Sequence, residues 1–153
     1  MRALVQKVDF AKLETENHEA NIGKGYVIFL GIKKTDTDED YNYILRKIKT
    51  LRIFHDENGK INRDLKAVGG EILLISQFTL YGSVKNNNRP SFSDSAPKEL
   101  AEHYYEKLIA DLRKDFNVET GVFGAHMHVT YLNNGPFSIM IDSEEKWRWR
   151  NYR

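Results

Sequence analysis

Residues 71–82, EILLISQFTLYG, decide how this chain is read. Ile72, Leu73, Leu74 and Ile75 are apolar without alternation, the mark of a strand covered on both faces. Phe78, Leu80 and Tyr81 continue the run, but Ser76, Gln77 and Thr79 interrupt it. On an extended strand Ser76 and Phe78 point to one side and Gln77 and Thr79 to the other. Leaving a buried hydroxyl or amide unpaired costs about 1–3 kcal/mol. These polar groups therefore either emerge into water or mark a site at a strand end, where side chains and freed backbone N–H groups converge on a ligand. The pattern alone leaves both readings open.

Outward from this stretch, strands and helices are punctuated clearly. ALVQKV (3–8) alternates as a strand does, and AKLETE (11–16) continues or pairs with it. GYVIFLGI (25–32) is a glycine-bounded apolar run, hence a buried strand. Tyr41, Ile44, Leu45, Ile48 and Leu51 then fall at helical spacing behind an acidic, cap-rich start. Asn58-Gly59 signals a hairpin. Residues 83–99, with two prolines, read as a loop, and the helix after Pro97 lines up Leu100, Tyr104, Leu108, Ile109 and Leu112. NVETGVFGAHMHVTYLNNGPFSIMIDS (117–143) reads as two strands joined at Asn134-Gly135-Pro136. Strands interrupted by two main helices define a single α+β domain with a largely antiparallel or mixed β core.

Composition narrows the chemistry. The chain has 153 residues, a formal net charge of +1 and no cysteine. Broad nucleic-acid binding through net charge is excluded, so any RNA contact needs a local patch or pocket. Disulfide and thiol chemistry are excluded as well. No signal-peptide pattern or membrane-length apolar run occurs, and a cytoplasmic location is the expectation. There is no nucleophile elbow, P-loop or zincin motif. The glycine of DENGK falls too early for a calcium loop. His126 and His128 would share one strand face, but no third ligand accompanies them, so no metal is assigned. Gly23, Gly25, Gly69 and Gly70 read as turns, and His18, His55 and His103 each stand alone. No cofactor is implied.

Gly135-Pro136 is either a plain turn or a device that aims two carbonyl oxygens in a fixed direction, suited to holding an ammonium group. Together with SQFTLYG it resembles the D-aminoacyl-tRNA deacylases. MRALVQKV, GYVIFLGI, LRIFHDENGKIN, RPSF and TGVFGAHMHV resemble them too, in order, over residues 1–143. The resemblance implies a homodimer of barrel-like packed sheets flanked by two helices. Its activity would be metal-free hydrolysis of the ester joining a D-amino acid, or glycine, to the acceptor end of tRNA. It assigns Ser76, Gln77, Phe78 and Thr79 to catalysis. Gly135 and Pro136, with a cis bond, would reach into the partner subunit's site, and Phe123 and Met127 would line the adenosine pocket.

An activated ester needs only to be held, given a positioned water and supplied with an oxyanion site. The N–H groups of Gln77, Phe78 and Thr79 are the candidates for that last role. Thr79 has no base beside it in sequence, which favours a positioned water, assisted by the substrate's 2′-hydroxyl, over a threonine nucleophile. With the amine and ester fixed, a D side chain points to solvent and an L side chain meets the Gly-Pro backbone, whereas glycine cannot be refused.

Two departures from the family pattern bear on chiral strictness, and a third on the conformation of the RPSF loop. Phe137 and Ser138 replace the usual Val-Thr, Lys7 stands at a substrate-binding position where the family usually has an arginine, and no glycine precedes Arg89. A sister branch that also carries phenylalanine after Gly-Pro has that bond trans and accepts some L-alanyl substrates, but it lacks the Ser-Gln-Phe-Thr pattern. The alternatives are a deacylase that also cleaves some L-aminoacyl esters, and a non-catalytic RNA-binding module of the same fold. Residues 144–153, EEKWRWRNYR, form a basic aromatic tail in which Trp147, Arg148, Trp149 and Arg150 either stack on RNA bases or pack as a frayed or dimer-bound terminus.

Overall fold

Apolar alternation runs through residues 2–14, and in the computed structural model, which describes residues 1–147, this whole segment is one strand, β1 (Arg2–Glu14). The AKLETE stretch continues it. The strand changes its buried face midway. Ala3 and Val5 join one apolar cluster, while Val8, Ala11 and Leu13 join a second. Register irregularities between Gln6 and Val8 and between Val8 and Ala11 produce the switch.

β1 pairs antiparallel with β2 (Glu19–Ile22), which the sequence reading did not single out, and with β3 (Gly25–Gly31). β3 pairs parallel with β6 (Glu71–Ser76), and β6 pairs parallel with β7 (Val118–Thr120). β8 (His128–Asp142) lies antiparallel along β1. The result is a mixed sheet in the order β2-β1-β3-β6-β7 with β8 on β1, curled into a nearly closed barrel. β4 (Arg52–His55) and β5 (Ile61–Asp64) form the hairpin expected around Asn58-Gly59.

Because β3 and β6 are covered on both sides, their runs are continuously apolar. Ile28, Leu30, Ile72 and Leu74 face the helices, and Val27, Leu73 and Ile75 face the barrel interior. The helices are α1 (Asp38–Thr50) and α2 (Lys98–Arg113), joined by stacked Tyr41 and Tyr104 rings 5.6 Å apart.

The structure corrects the sequence reading in four places. The chain stops being a strand at Ser76 and turns into a 3-10 helix, Phe78–Tyr81, so the strand alternation of 76–79 does not apply. Residues 117–143 are not two strands joined at Gly-Pro: the first strand ends at Thr120, a turn follows, and β8 runs from His128 through Gly135-Pro136 without reversing. His126 therefore lies in the turn, not on a strand face shared with His128.

The fourth correction concerns the tail. Its first residues are docked: the 3-10 helix Ser143–Trp147 lies on the domain, with buried Ser143 accepting from the Met1 ammonium at 2.7 Å and donating to Asp40 at 2.7 Å. Burial opposes ionisation of Asp40, but bonds from Lys146, the Thr37 N–H and Ser143 outweigh it and hold the carboxyl down at about 2. Arg148, Trp149 and Arg150, and the side chain of Trp147, lie outside the described residues.

Candidate active site

The end of β6 builds the site. Parallel pairing sets Leu30 of β3 beside Ser76, and the Gln77 N–H donates to the Leu30 carbonyl at 2.8 Å, the last rung before the chain turns. That bond removes Gln77 from the three expected oxyanion donors. The 3-10 helix then closes on itself, with the Leu80 N–H on the Gln77 carbonyl and the Gly82 N–H on the Thr79 carbonyl. The first N–H groups of such a turn have no acceptor within it, so those of Phe78 and Thr79 remain as donors.

A cavity of about 460 Å³ opens here, lined by Ser76, Gln77 and Phe78 together with Phe123 and Met127. Five of the residues assigned from the sequence thus meet in one space. Phe123 comes from the turn between β7 and β8, in which Gly124 has φ +76°. It is backed by Tyr105 of α2, whose ring lies 6.0 Å away and whose hydroxyl donates to the Leu74 carbonyl at 2.9 Å. Thr79 is exposed beside this cavity rather than lining it, and its hydroxyl accepts from the Gln77 amide. An amide donor cannot take the hydroxyl proton, and no carboxylate or imidazole bonds to Thr79 among the described residues.

The remaining assigned residues lie elsewhere. Between the paired positions Gln6–Ser138 and Val8–Asn133, β8 carries four residues where β1 carries one, so residues 134–137 bulge outward as a loop. Within it Gly135-Pro136 is cis. Polar side chains brace the bulge: Asn133 accepts from the Phe137 N–H at 2.9 Å and donates to Ser138 at 3.1 Å, Gln6 donates to Ser138 at 3.0 Å, and Asn134 donates to Asp9 at 3.0 Å. Lys7 lies opposite, nearly buried, with its ammonium 5.6 Å from the Phe54 ring and 5.7 Å from the Phe137 ring.

Register measures the separation. Lys7 pairs with Tyr26 and Tyr26 with Ile72, so the bulge sits three strands over from β6 and four residues short of Ser76. That corresponds to about 14 Å across the sheet and about 13 Å along it. Within one protomer the Gly-Pro bulge does not meet the Ser-Gln-Phe turn.

Sequence reasoning missed two polar residues lining the cavity, His126 and Lys98. The start of α2 after Pro97 was legible, but only the packing of α2 on the sheet brings its first residue against the end of β6. Among the described residues no group of three or more His, Asp or Glu side chains is arranged to hold a metal ion.

Backbone N–H groups without acceptors at the end of a central strand, beside a cavity that Lys98 and His126 also line, suit a hydrolase acting on an already activated acyl ester. The profile of the D-Tyr-tRNA(Tyr) deacylase family matches residues 4–142, and the chain belongs to that family. It is 46% identical over 148 residues to the D-aminoacyl-tRNA deacylase of Thermosipho africanus, covering 95% of this chain and 99% of that protein. Identity to the corresponding protein of Chlorobaculum tepidum is 44% over 149 residues, with the same coverage.

Among solved structures, a c-Myc DNA unwinding element binding protein superposes with a TM-score of 0.86 at 37% identity, covering 93% of this chain and 98% of the other. A probable eukaryotic D-amino acid tRNA deacylase superposes with a TM-score of 0.80 at 20% identity, covering 92% and 98%, and supports the fold.

Proposed function

We propose that this chain hydrolyses the ester of D-aminoacyl-tRNA, and of glycyl-tRNA, at the cavity beside Ser76, Gln77 and Phe78, as a cytoplasmic homodimer in which each site takes the Gly135-Pro136 bulge from the other subunit. The observation that carries this reading is the separation of two motifs whose chemistry is complementary. One supplies oxyanion donors and the other supplies carbonyl oxygens for an amine, yet one protomer holds them apart. A second copy supplies the missing half.

The surface fits that role. β8 pairs with β1 on one side and has no partner on the other among the described strands. Phe10, Leu132 and Met140, on β1 and β8, are 46%, 44% and 44% exposed. A long free strand edge beside apolar side chains is a surface that a protein normally covers.

In the reaction, water adds to the acyl carbon and the negative charge gathers on the former carbonyl oxygen, facing the N–H groups of Phe78 and Thr79. The carbon–oxygen bond to the ribose then breaks. The 3′-oxygen takes the proton that the attacking water gives up, relayed through the substrate's 2′-hydroxyl, and the free amino acid leaves. Phe123 and Met127 hold the adenosine, and the Gly-Pro carbonyls of the partner subunit accept from the α-ammonium. A D side chain then points outward and an L side chain meets backbone.

Hydrolysis of matched D-Tyr-, L-Tyr- and Gly-tRNA, followed by loss of labelled ester, tests this. The expected result is turnover of the D and glycyl esters with the L ester spared. Equal loss of D and L esters would support the relaxed enzyme, in which Phe137 and Lys7 loosen the bulge. Binding without loss of any ester would support the RNA-binding module.

Thr79 is assigned to support rather than attack. Thr79→Ala removes a hydroxyl but keeps the backbone N–H, so kcat on D-Tyr-tRNA should fall by no more than about ten-fold, well short of the loss expected for a nucleophile. A fall beyond a thousand-fold in single-turnover rate would reassign Thr79 as the nucleophile.

A further inference from the structure

Phe78 lines the cavity but is 56% exposed, and Phe92, from the loop that follows, packs edge-to-face against it with ring centroids 5.0 Å apart and is itself 38% exposed. The pose of Phe92 is fixed by its surroundings. A Cβ built on Gly82 would stand 2.9 Å from the Phe92 ring, so the ring lies directly on backbone that only glycine leaves open. Reciprocal bonds of 2.8 Å between the Ser83 and Ser91 backbones close the hairpin that carries it, and Ser95 donates to the Phe78 carbonyl at 3.0 Å.

The loop that carries Phe92 is cationic through residue 93, and the carboxylate that follows, Asp94, is paired with Lys34 at 3.6 Å. Residues 83–93 contain Lys85 and Arg89 and no carboxylate. Lys98 lines the same cavity as Phe78, no carboxylate lines it, and Lys98 forms no ion pair among the described residues. A lysine in the first turn of a helix also works against the helix dipole, so the fold gains nothing from its charge there. Exposed aromatic rings among unpaired cations match single-stranded nucleic acid, whose bases stack and whose phosphates need neutralising.

Resting on the deacylase reading, we propose that Phe92, braced by Phe78 at the cavity mouth, stacks on the base of the nucleotide preceding the terminal adenosine, while Lys98 neutralises the phosphate that joins the two. The site thus extends one nucleotide beyond the ester, and recognition of tRNA over a free aminoacyl nucleoside resides in these residues.

The test compares kcat/KM on D-Tyr-tRNA with that on 3′-O-(D-tyrosyl)adenosine, which carries the same ester without the preceding nucleotide or its phosphate. Phe92→Ala should lower the ratio of the two by about ten-fold or more, and Phe92→Tyr should restore it. Lys98→Gln should flatten the dependence of log(kcat/KM) on log salt for the tRNA substrate by about 0.7, the contribution of one single-strand phosphate. An unchanged ratio in Phe92→Ala, or an unchanged salt slope in Lys98→Gln, would overturn the proposal. Failure of the unaltered protein to hydrolyse either ester would instead remove the deacylase reading itself.

Discussion

Phe78→Pro is expected to lower kcat on D-Tyr-tRNA by about 10²–10³-fold beyond any loss seen in Phe78→Ala, the cost of deleting one oxyanion donor. Phe78 opens the 3-10 helix that follows β6, the kind of position where proline is tolerated because the N–H has no acceptor within the turn. Gln77, the preceding residue, has φ −139° and ψ 84°, outside the helical region that a following proline disfavours. The substitution therefore removes a proton donor with little demand on the backbone, and Phe78→Ala, which keeps the N–H, isolates the contribution of the ring. Equal kcat in the two variants would show that the amide is not part of the oxyanion site.

The same variant tests the proposed sharing of each site between two subunits. Pro136→Lys would set a second ammonium where the substrate's own is to be held, and each variant alone should be nearly inactive. Refolded together, they should regain turnover, because a mixed dimer has one site carrying both changes and one site carrying neither. Recovery that is absent while mixed dimers are demonstrably present would rule out contribution of the bulge across the interface.

The second large effect concerns stability. Gly25 of β3 pairs with Glu71 of β6, and a Cβ there would stand 1.8 Å from the Glu71 carbonyl oxygen. The obstacle is backbone at the start of the strand that carries the site, so it cannot move aside as a side chain would. Gly25→Ala should destabilise the fold by at least about 3 kcal/mol, seen as a lowered urea midpoint. A loss below about 1 kcal/mol would mean that β3 and β6 separate easily, and that the close parallel pairing does not hold Ser76 in place.

The Asn58-Gly59 hairpin, both helices and the continuously apolar strands β3 and β6 were legible, because each is dictated by spacing or by residues with narrow backbone preferences. The Ser-Gln-Phe-Thr element was legible as a polar break in an apolar run. Its conformation was not: the residues after Ser76 suit a strand by propensity, and they turn because β3 ends beside Leu30 and leaves no further partner to pair with. Lys98 was invisible as a site residue, since nothing local relates the first residue of α2 to the end of β6, and His126, though it lies between Phe123 and Met127, was read only as a possible metal ligand.

What the chain's sequence determined by itself is therefore its class of elements, its central strands and the chemical groups available to act. What only tertiary structure decided is where those groups stand relative to one another. Sheet pairing and curvature join residues far apart in the chain, so they gathered Ser76, Gln77, Phe78, Phe123 and Met127 into one cavity. They also set the Gly-Pro bulge apart, on the far side of β1, because β8 pairs along β1 without reversing and the residues beyond its register have nowhere to go but outward.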